Sequence, residues 1–270
     1  MNIALCFCVR NCEPYLNRIF KNIDDMRKLN FNLYCIFIYD NCADNSGQLL
    51  KEYKNTNKNI IVKEIENTSP YRTVRIAKAR NKCLHIIYNY IECIDYHIMI
   101  DCDDVCCNPW NLNLLNNVLN NVDNDDWDCI SFNRREYYDM WALMYDNFRH
   151  HCWGFYMDCE AVINIMRNEI TEKLSRSKTN SIEVISAFNG FCIYKTNKFK
   201  GIHYEGLYYN LKLLISNKEL NQTVNYFKNK YKLNVNLDLN ENNECCEHLY
   251  YNLSAYKKGC KIKISKFIVV

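Results

Sequence analysis

Four short apolar runs constrain this chain more than any other feature: IALCFCV (3–9), LYCIFIY (33–39), NIIVKEI (59–65) and YHIMI (96–100). Between them the apolar spacing turns helical. Leu16, Ile19, Phe20 and Ile23 share one face of a helix predicted over 14–29, a short helix is predicted over 46–54, and Ala77, Leu84, Ile87 and Ile91 point inward from a helix over 73–92. Runs apolar on both faces, as at 3–9 and 33–39, suit strands covered on both sides, while NIIVKEI alternates and reads as a third strand. Strand and helix alternating four times predict an α/β fold, a mostly parallel sheet with helices on both faces. Ligands bind such sheets beyond the carboxyl ends of the strands. YDNCADN (39–45) follows the second run and DCDD (101–104) the fourth, so both polar clusters fall on one rim.

The second half is less regular. A strand at 128–133 leads into RREYYDMWALMYD, a helix is expected near 158–173, and AFNGFCIYK (187–195) reads as another strand. Residues 208–240 are polar and weakly patterned. In the tail, Lys261 and Lys263 alternate with Ile262 and Ile264, which predicts an edge strand guarded by lysines rather than a membrane-surface patch. No internal repeat or linker forces a cut, so 1–270 is expected to be a single domain.

Composition narrows the classes. With 49% hydrophobic and 24% charged residues, the 270-residue chain can bury a sizeable core. A formal charge of +3, scattered along the sequence, argues against a nucleic-acid partner. No stretch reaches the roughly 18–20 apolar residues of a membrane span, and the opening lacks a signal-peptide pattern. A soluble, cytoplasmic protein is expected. Many of the 17 cysteines sit inside apolar runs, where a reduced thiol is a small hydrophobe; paired C-x-x-C spacing for zinc is missing.

Asp101, Asp103 and Asp104 crowd three carboxylates into four positions at a strand end. Capping the next helix, near Pro109, would use one such side chain, not three. A hard divalent cation relieves the repulsion, and Mn²⁺ or Mg²⁺ prefers oxygen ligands shared with phosphates and water. DCDDV also fits the nucleophile loop of haloacid-dehalogenase-like phosphatases, but that loop follows the first core strand, and here three strand–helix units precede it.

Taken in order, these segments resemble glycosyltransferases of the GT-A fold, particularly small enzymes of large DNA viruses and the fungal capsule-type enzymes. IALCFCVRNCEPYL is similar to the first strand and turn, IFIYDNCADNS to the loop holding base and ribose, and RTVRIAKARNKCL to the arginine-bearing helix. MIDCDD is similar to the Asp-x-Asp, SAFNGFCIYK to the acceptor strand, and CEHLYYNL to a late segment supplying a metal-binding histidine. The resemblance implies a nucleotide-sugar half (1–107) and an acceptor half (108–270). It implies donor contacts from Arg10, Asp40, Arg80 and Asp101, with metal ligation by Asp101, Asp103 and His248. The expected reaction moves a sugar from a nucleotide diphosphate sugar to a hydroxyl of a glycan or protein-linked glycan, assisted by Mn²⁺ or Mg²⁺. If the enzyme inverts, a carboxylate must take the acceptor proton, and Asp139 and Glu247 are the candidates. Tyr138, Asp139 and Trp141 together would suit a sugar surface. The rivals are the phosphatase, a sugar-nucleotide pyrophosphorylase, which typically carries a glycine-rich first loop where CVRNCEPY has no glycine, and a non-catalytic nucleotide-sugar-binding module.

Overall fold

The computed structural model describes residues 1–91, 93–120 and 126–270. The first half runs β1 (Asn2–Val9), α1 (Glu13–Met26), β2 (Asn32–Tyr39), α2 (Ser46–Thr56), β3 (Ile60–Glu64), α3 (Arg72–Tyr90), β4 (Tyr96–Asp101) and α4 (Leu112–Asn120). The second half adds β5 (Cys129–Asn133), α5 (Cys159–Arg176), β6 (Ser181–Val184), β7 (Phe191–Lys195), α6 (Tyr208–Lys212), α7 (Asn217–Tyr231), α8 (Glu247–Lys257) and β8 (Ile262–Ile268). The eight strands form one sheet in the order β3-β2-β1-β4-β7-β5-β8-β6. Four of its seven pairings are parallel; β7 lies antiparallel to both β4 and β5, and β6 antiparallel to β8.

Period-two alternation divides each central strand between two cores. Ile3, Leu5, Phe7 and Val9 of β1 join Phe37 and Ile98 under α1, α2 and α4. Ala4 and Cys6 face the other way, with Ile36 and Met99, toward α3, α5, α7 and α8. Fully buried Leu16, Ile19 and Ile23 anchor α1, each worth about 1.5–3 kcal/mol of transfer free energy. The Phe7 and Phe37 rings stack across β1 and β2 with centroids 4.7 Å apart.

Three expectations change. The lysine-bearing tail is not an edge: β8 lies between β5 and β6, and Lys263 stands opposite Glu183, so its charge meets a cross-strand acid. The strand expected over 187–195 begins only at Phe191, because Asn189 (φ 58°) and Gly190 (φ 84°) turn the chain in the left-handed region. The weakly patterned stretch holds α7, closed by a capping box between Ser216 and Glu219. That helix is tied to α5 through Glu169, whose carboxylate accepts from the hydroxyls of Tyr145, Tyr226 and Tyr231 and pairs with Lys230.

The start of α3 is pinned from far along the chain. The Thr73 N–H donates to Glu244 Oε1 (2.8 Å) and its hydroxyl to the Gly206 carbonyl (2.6 Å). A Cβ on Gly206 would stand 2.4 Å from the Thr73 carbonyl carbon and 2.5 Å from the Val74 nitrogen, both backbone atoms. Gly206→Ala should therefore cost about 3 kcal/mol. Urea unfolding checks this, and an unchanged midpoint would mean the two segments separate freely.

Candidate active site

The parallel register aligns Val9 with Tyr39 and Cys8 with Asp101, so β1, β2 and β4 end on one rim. Beyond it lies a cavity of about 330 Å³ lined, among others, by Arg10, Asp40, Arg80, Asp101 and Asp103. The fold thus gathers five side chains that the sequence had spread over more than ninety positions. Asn11 (φ 54°) and Asn41 (φ 38°) turn the chain sharply just past β1 and β2, which keeps Arg10 and Asp40 at the mouth.

Arg80 is the hub. It is buried, donates from Nε to Glu247 Oε1 (2.9 Å) and from Nη2 to Asp101 Oδ1 (3.2 Å), and lies 4.7 Å from the Phe188 ring centroid. Its Nη1 has no partner among the described residues. Burial works against its charge, but Glu247 and Asp101 hold the guanidinium firmly protonated. The other two arginines of α3 differ. Arg75 is spent on the carbonyls of Ser69 and Pro70, and Arg72 is exposed at the cavity edge.

The carboxylates divide by environment. Both oxygens of Asp101 are engaged, Oδ1 by Arg80 and Oδ2 by the Tyr138 hydroxyl (3.2 Å). Among the described residues Asp103 accepts only from the Val105 N–H (3.0 Å), and burial together with the Asp101 charge pushes its carboxyl up to about 6. A cation at Asp103 would remove that penalty, so its donor set fits a hard divalent ion completed by water and phosphate. Buried Asp40 keeps Oδ2 without a partner among the described residues.

Asp139 accepts from the backbone N–H groups of Ala142 and Asn189, both at 3.2 Å. Burial, then Asp101, pushes it up to about 7. Glu247 is buried and committed to Arg80. Trp141 is half-buried, and its indole N–H has no partner among the described residues.

His248 is buried beside Arg80 and Glu247. Its ring stacks on Phe188 with centroids 3.7 Å apart, its Nδ1 meets the Tyr194 hydroxyl (3.3 Å), and only 1% of it is exposed. Burial, then the Arg80 charge, lowers its pKa well below the ordinary histidine value. Among the described residues no group of three His, Cys, Asp or Glu side chains is arranged to hold a metal. The His248 Nε2 has no hydrogen-bond partner among the described residues and lies 3.7 Å from Glu247 Oε1.

One contributor was not foreseen. Arg134, just past β5, donates to the carbonyls of Val105 (2.7 Å) and Asn189 (3.0 Å) and lies over the Tyr138 ring. It clasps the carboxylate loop to the turn before β7. Its signal was a basic pair ending a buried strand.

A mostly parallel sheet with an acidic, arginine-backed pocket at its strand ends defines an α/β protein of the GT-A type. The chain belongs to glycosyl transferase family 2, whose family model matches residues 5–200. Among solved structures it is similar to S. aureus TarS 1–349 in complex with UDP-GlcNAc, at 15% identity and a TM-score of 0.50, covering 100% of this chain and 57% of that one. It is also similar to glucosyl-3-phosphoglycerate synthase from Mycobacterium tuberculosis in complex with UDP, at 10% identity and a TM-score of 0.44, covering 85% and 66%. The chain thus spans under three fifths of the TarS structure. No curated protein matches it in sequence, and no helix among the described residues is long and apolar enough to cross a membrane.

Proposed function

We propose that the chain transfers a glycosyl group from a nucleotide diphosphate sugar to an acceptor hydroxyl, aided by Mn²⁺ or Mg²⁺. The observation that carries this reading is one cavity that brings together Arg10, Asp40, Arg80, Asp101 and Asp103. Asp40 Oδ2, an acceptor without a partner among the described residues, suits an N–H of the nucleobase. Arg80 Nη1, likewise free among the described residues, and the exposed Arg10 suit diphosphate oxygens. The cation, when bound, neutralises charge on the departing diphosphate as a Lewis acid. Asp103, with Asp101, is the ligand set on offer.

Asp139 is the better candidate than Glu247 for general base. A carboxyl raised to about 7 can take a hydroxyl proton near neutrality, whereas Glu247 neutralises Arg80 and so positions Asp101. The first 107 residues supply the donor side and the rest the acceptor side. The acceptor is taken to be a glycan or a protein-linked glycan, and the protein to work in the cytoplasm. The narrower likeness to viral and fungal capsule-type enzymes rests on the same motifs.

Calorimetry with UDP and GDP, with and without Mn²⁺, tests the reading. Metal-dependent binding should weaken at least tenfold in Asp103→Asn while the unfolding midpoint holds or rises. Nucleotide affinity indifferent to both Mn²⁺ and this substitution would remove the metal from the mechanism.

A further inference from the structure

One segment of the second half leaves aromatic side chains facing solvent. Between β5 and α5, Trp153 is 56% exposed, Tyr156 60% and Met157 99%, while Cys152, Gly154 and Phe155 beside them are buried. Trp110 and Trp127 are buried by contrast, and Trp141 is half-buried. The backbone that presents these side chains is fixed. Phe155 stacks on Phe148 with centroids 5.8 Å apart, and the Gly154 carbonyl accepts from the Asp238 N–H (2.9 Å) and lies 2.8 Å from His150 Nε2. Tyr156 sits at φ 48°, a left-handed conformation that a bulky residue keeps only where its surroundings impose it. Rings held out in advance lose little freedom on binding, which suits this loop to a ligand.

The loop belongs to the same rim as the donor cavity. Arg72 and Arg75, at the start of α3, line that cavity, and Thr73 between them donates to the Gly206 carbonyl. Gly206 leads into α6, where the Tyr208 N–H donates to the Asn243 carbonyl (2.9 Å) and the Tyr208 ring lies 5.2 Å from His151. Direct contacts thus run from the cavity mouth to His151, two residues before Trp153. Charge narrows the occupant. Segments 150–160 and 238–243 carry Asp158, Glu160, Asp238 and Glu241 and no lysine or arginine, and Lys212 offsets Glu241. Arg149, just before the loop, lies over the Tyr256 ring of α8 instead. Such a surface repels anionic lipid headgroups and nucleic-acid phosphates. A sugar fits it: the C–H face of the ring packs on an aromatic side chain, and the hydroxyls donate to carboxylates.

From this placement we infer that Trp153 and Tyr156 form a binding site for a neutral oligosaccharide, on the rim of the donor cavity and outside it. Its role in the reaction rests on the proposed transfer reading. Trp153 and Tyr156 do not line the donor cavity, so a ring stacked on them is not the ring whose hydroxyl receives the glycosyl group. The acceptor is then an oligosaccharide: one sugar reacts beside Asp139, and another, further along the same chain, rests on the loop. Two anchored sugars hold the reacting hydroxyl better than one, because the second contact adds to the first without a second loss of translational freedom. Single monosaccharides should accordingly be poor acceptors.

Calorimetry tests the site with neutral tetrasaccharides of glucose, N-acetylglucosamine, galactose and mannose, each set against its monosaccharide. At least one tetrasaccharide should bind, and its monosaccharide should bind at least tenfold more weakly. Trp153→Ala should weaken that tetrasaccharide at least tenfold, and Trp153→Phe should recover most of the loss. Tyr156→Asn, which places a residue tolerant of the left-handed turn there, should weaken it too. UDP affinity with Mn²⁺ should stay within about twofold in all three variants, since none alters the donor cavity. Tetrasaccharide binding lost in Trp153→Ala, starting from protein that binds no UDP, would sustain the sugar site and sink the transfer reading. Failure of every tetrasaccharide to bind, or binding indifferent to both Trp153→Ala and Tyr156→Asn, would overturn the inference. So would vesicles of phosphatidylcholine and phosphatidylglycerol that retain the protein through Trp153, or a dimer that Trp153→Ala dissolves.

Discussion

Replacing Arg80 with alanine is expected to cost about 3–5 kcal/mol of stability and to abolish nucleotide diphosphate binding. Arg80 neutralises Glu247, whose side chain is 6% exposed, and Asp101 beside it. Removing the guanidinium leaves a buried carboxylate without compensation, which is worse than removing the pair. Arg80→Ala/Glu247→Ala should therefore be more stable than Arg80→Ala alone. Arg80→Lys should recover only part of the loss, because a point charge cannot hold Glu247 through Nε and Asp101 through Nη2 together. Urea unfolding of these three variants and of Glu247→Ala alone measures the effect. Purely additive losses would show that the two carboxylates do not depend on this arginine.

Acid should unfold the protein early. Burial holds His97 down to about 3 and His150 to about 4, and lowers His151 and His248 well below the ordinary 6.5. The unfolded chain protonates these four near 6.5 while the folded chain keeps them neutral. Stability is thus fully present above that value and drains away as the pH falls below it. Two carboxyls oppose the trend. Asp103 and Asp139, raised to about 6 and about 7, hold protons in the folded state that the unfolded chain releases above its ordinary 3.8. Their contribution is complete below 3.8 and is lost as the pH rises through those raised values. Four histidines against two carboxyls leave a net uptake of about two protons on unfolding near pH 5, so stability falls by roughly 3 kcal/mol per pH unit there. Unfolding free energies between pH 7 and 5 check the slope. A flat profile would mean that water reaches the histidines in the folded state.

The donor side was legible because its physics is local. Covered strands are apolar on both faces, and polar clusters at their ends can only project beyond the sheet, so Asp40, Asp101 and Asp103 could be assigned to one rim. What the sequence hid depends on long-range packing. Arg80 meets Glu247 across 167 positions, and nothing in KARN or CEH names that partner. The burial of His248 was hidden too, because it is set by Phe188, Tyr194 and Tyr204 arriving from elsewhere. Of α7, only Leu220, Thr223 and Phe227 are buried, too few for a clear period among its lysines and asparagines. Its Ser216-x-x-Glu219 start was nevertheless readable. The tail lysines guard no edge, because the four-residue β6 that covers β8 is too short to announce itself.

The antiparallel seat of β7 has a consequence for how the chain is made. β4 is complete once Asp101 has been synthesised, but the strand that pairs with its far edge ends at Lys195, 94 residues later (195 − 101). At about 5–20 residues per second, a nascent chain carries that edge unpaired for roughly 5–20 s. Its backbone donors and acceptors are then open to any passing strand. The hazard lies midway through translation and disappears when residues 191–195 emerge. Chains stalled between those two points should therefore be the ones that seek chaperones.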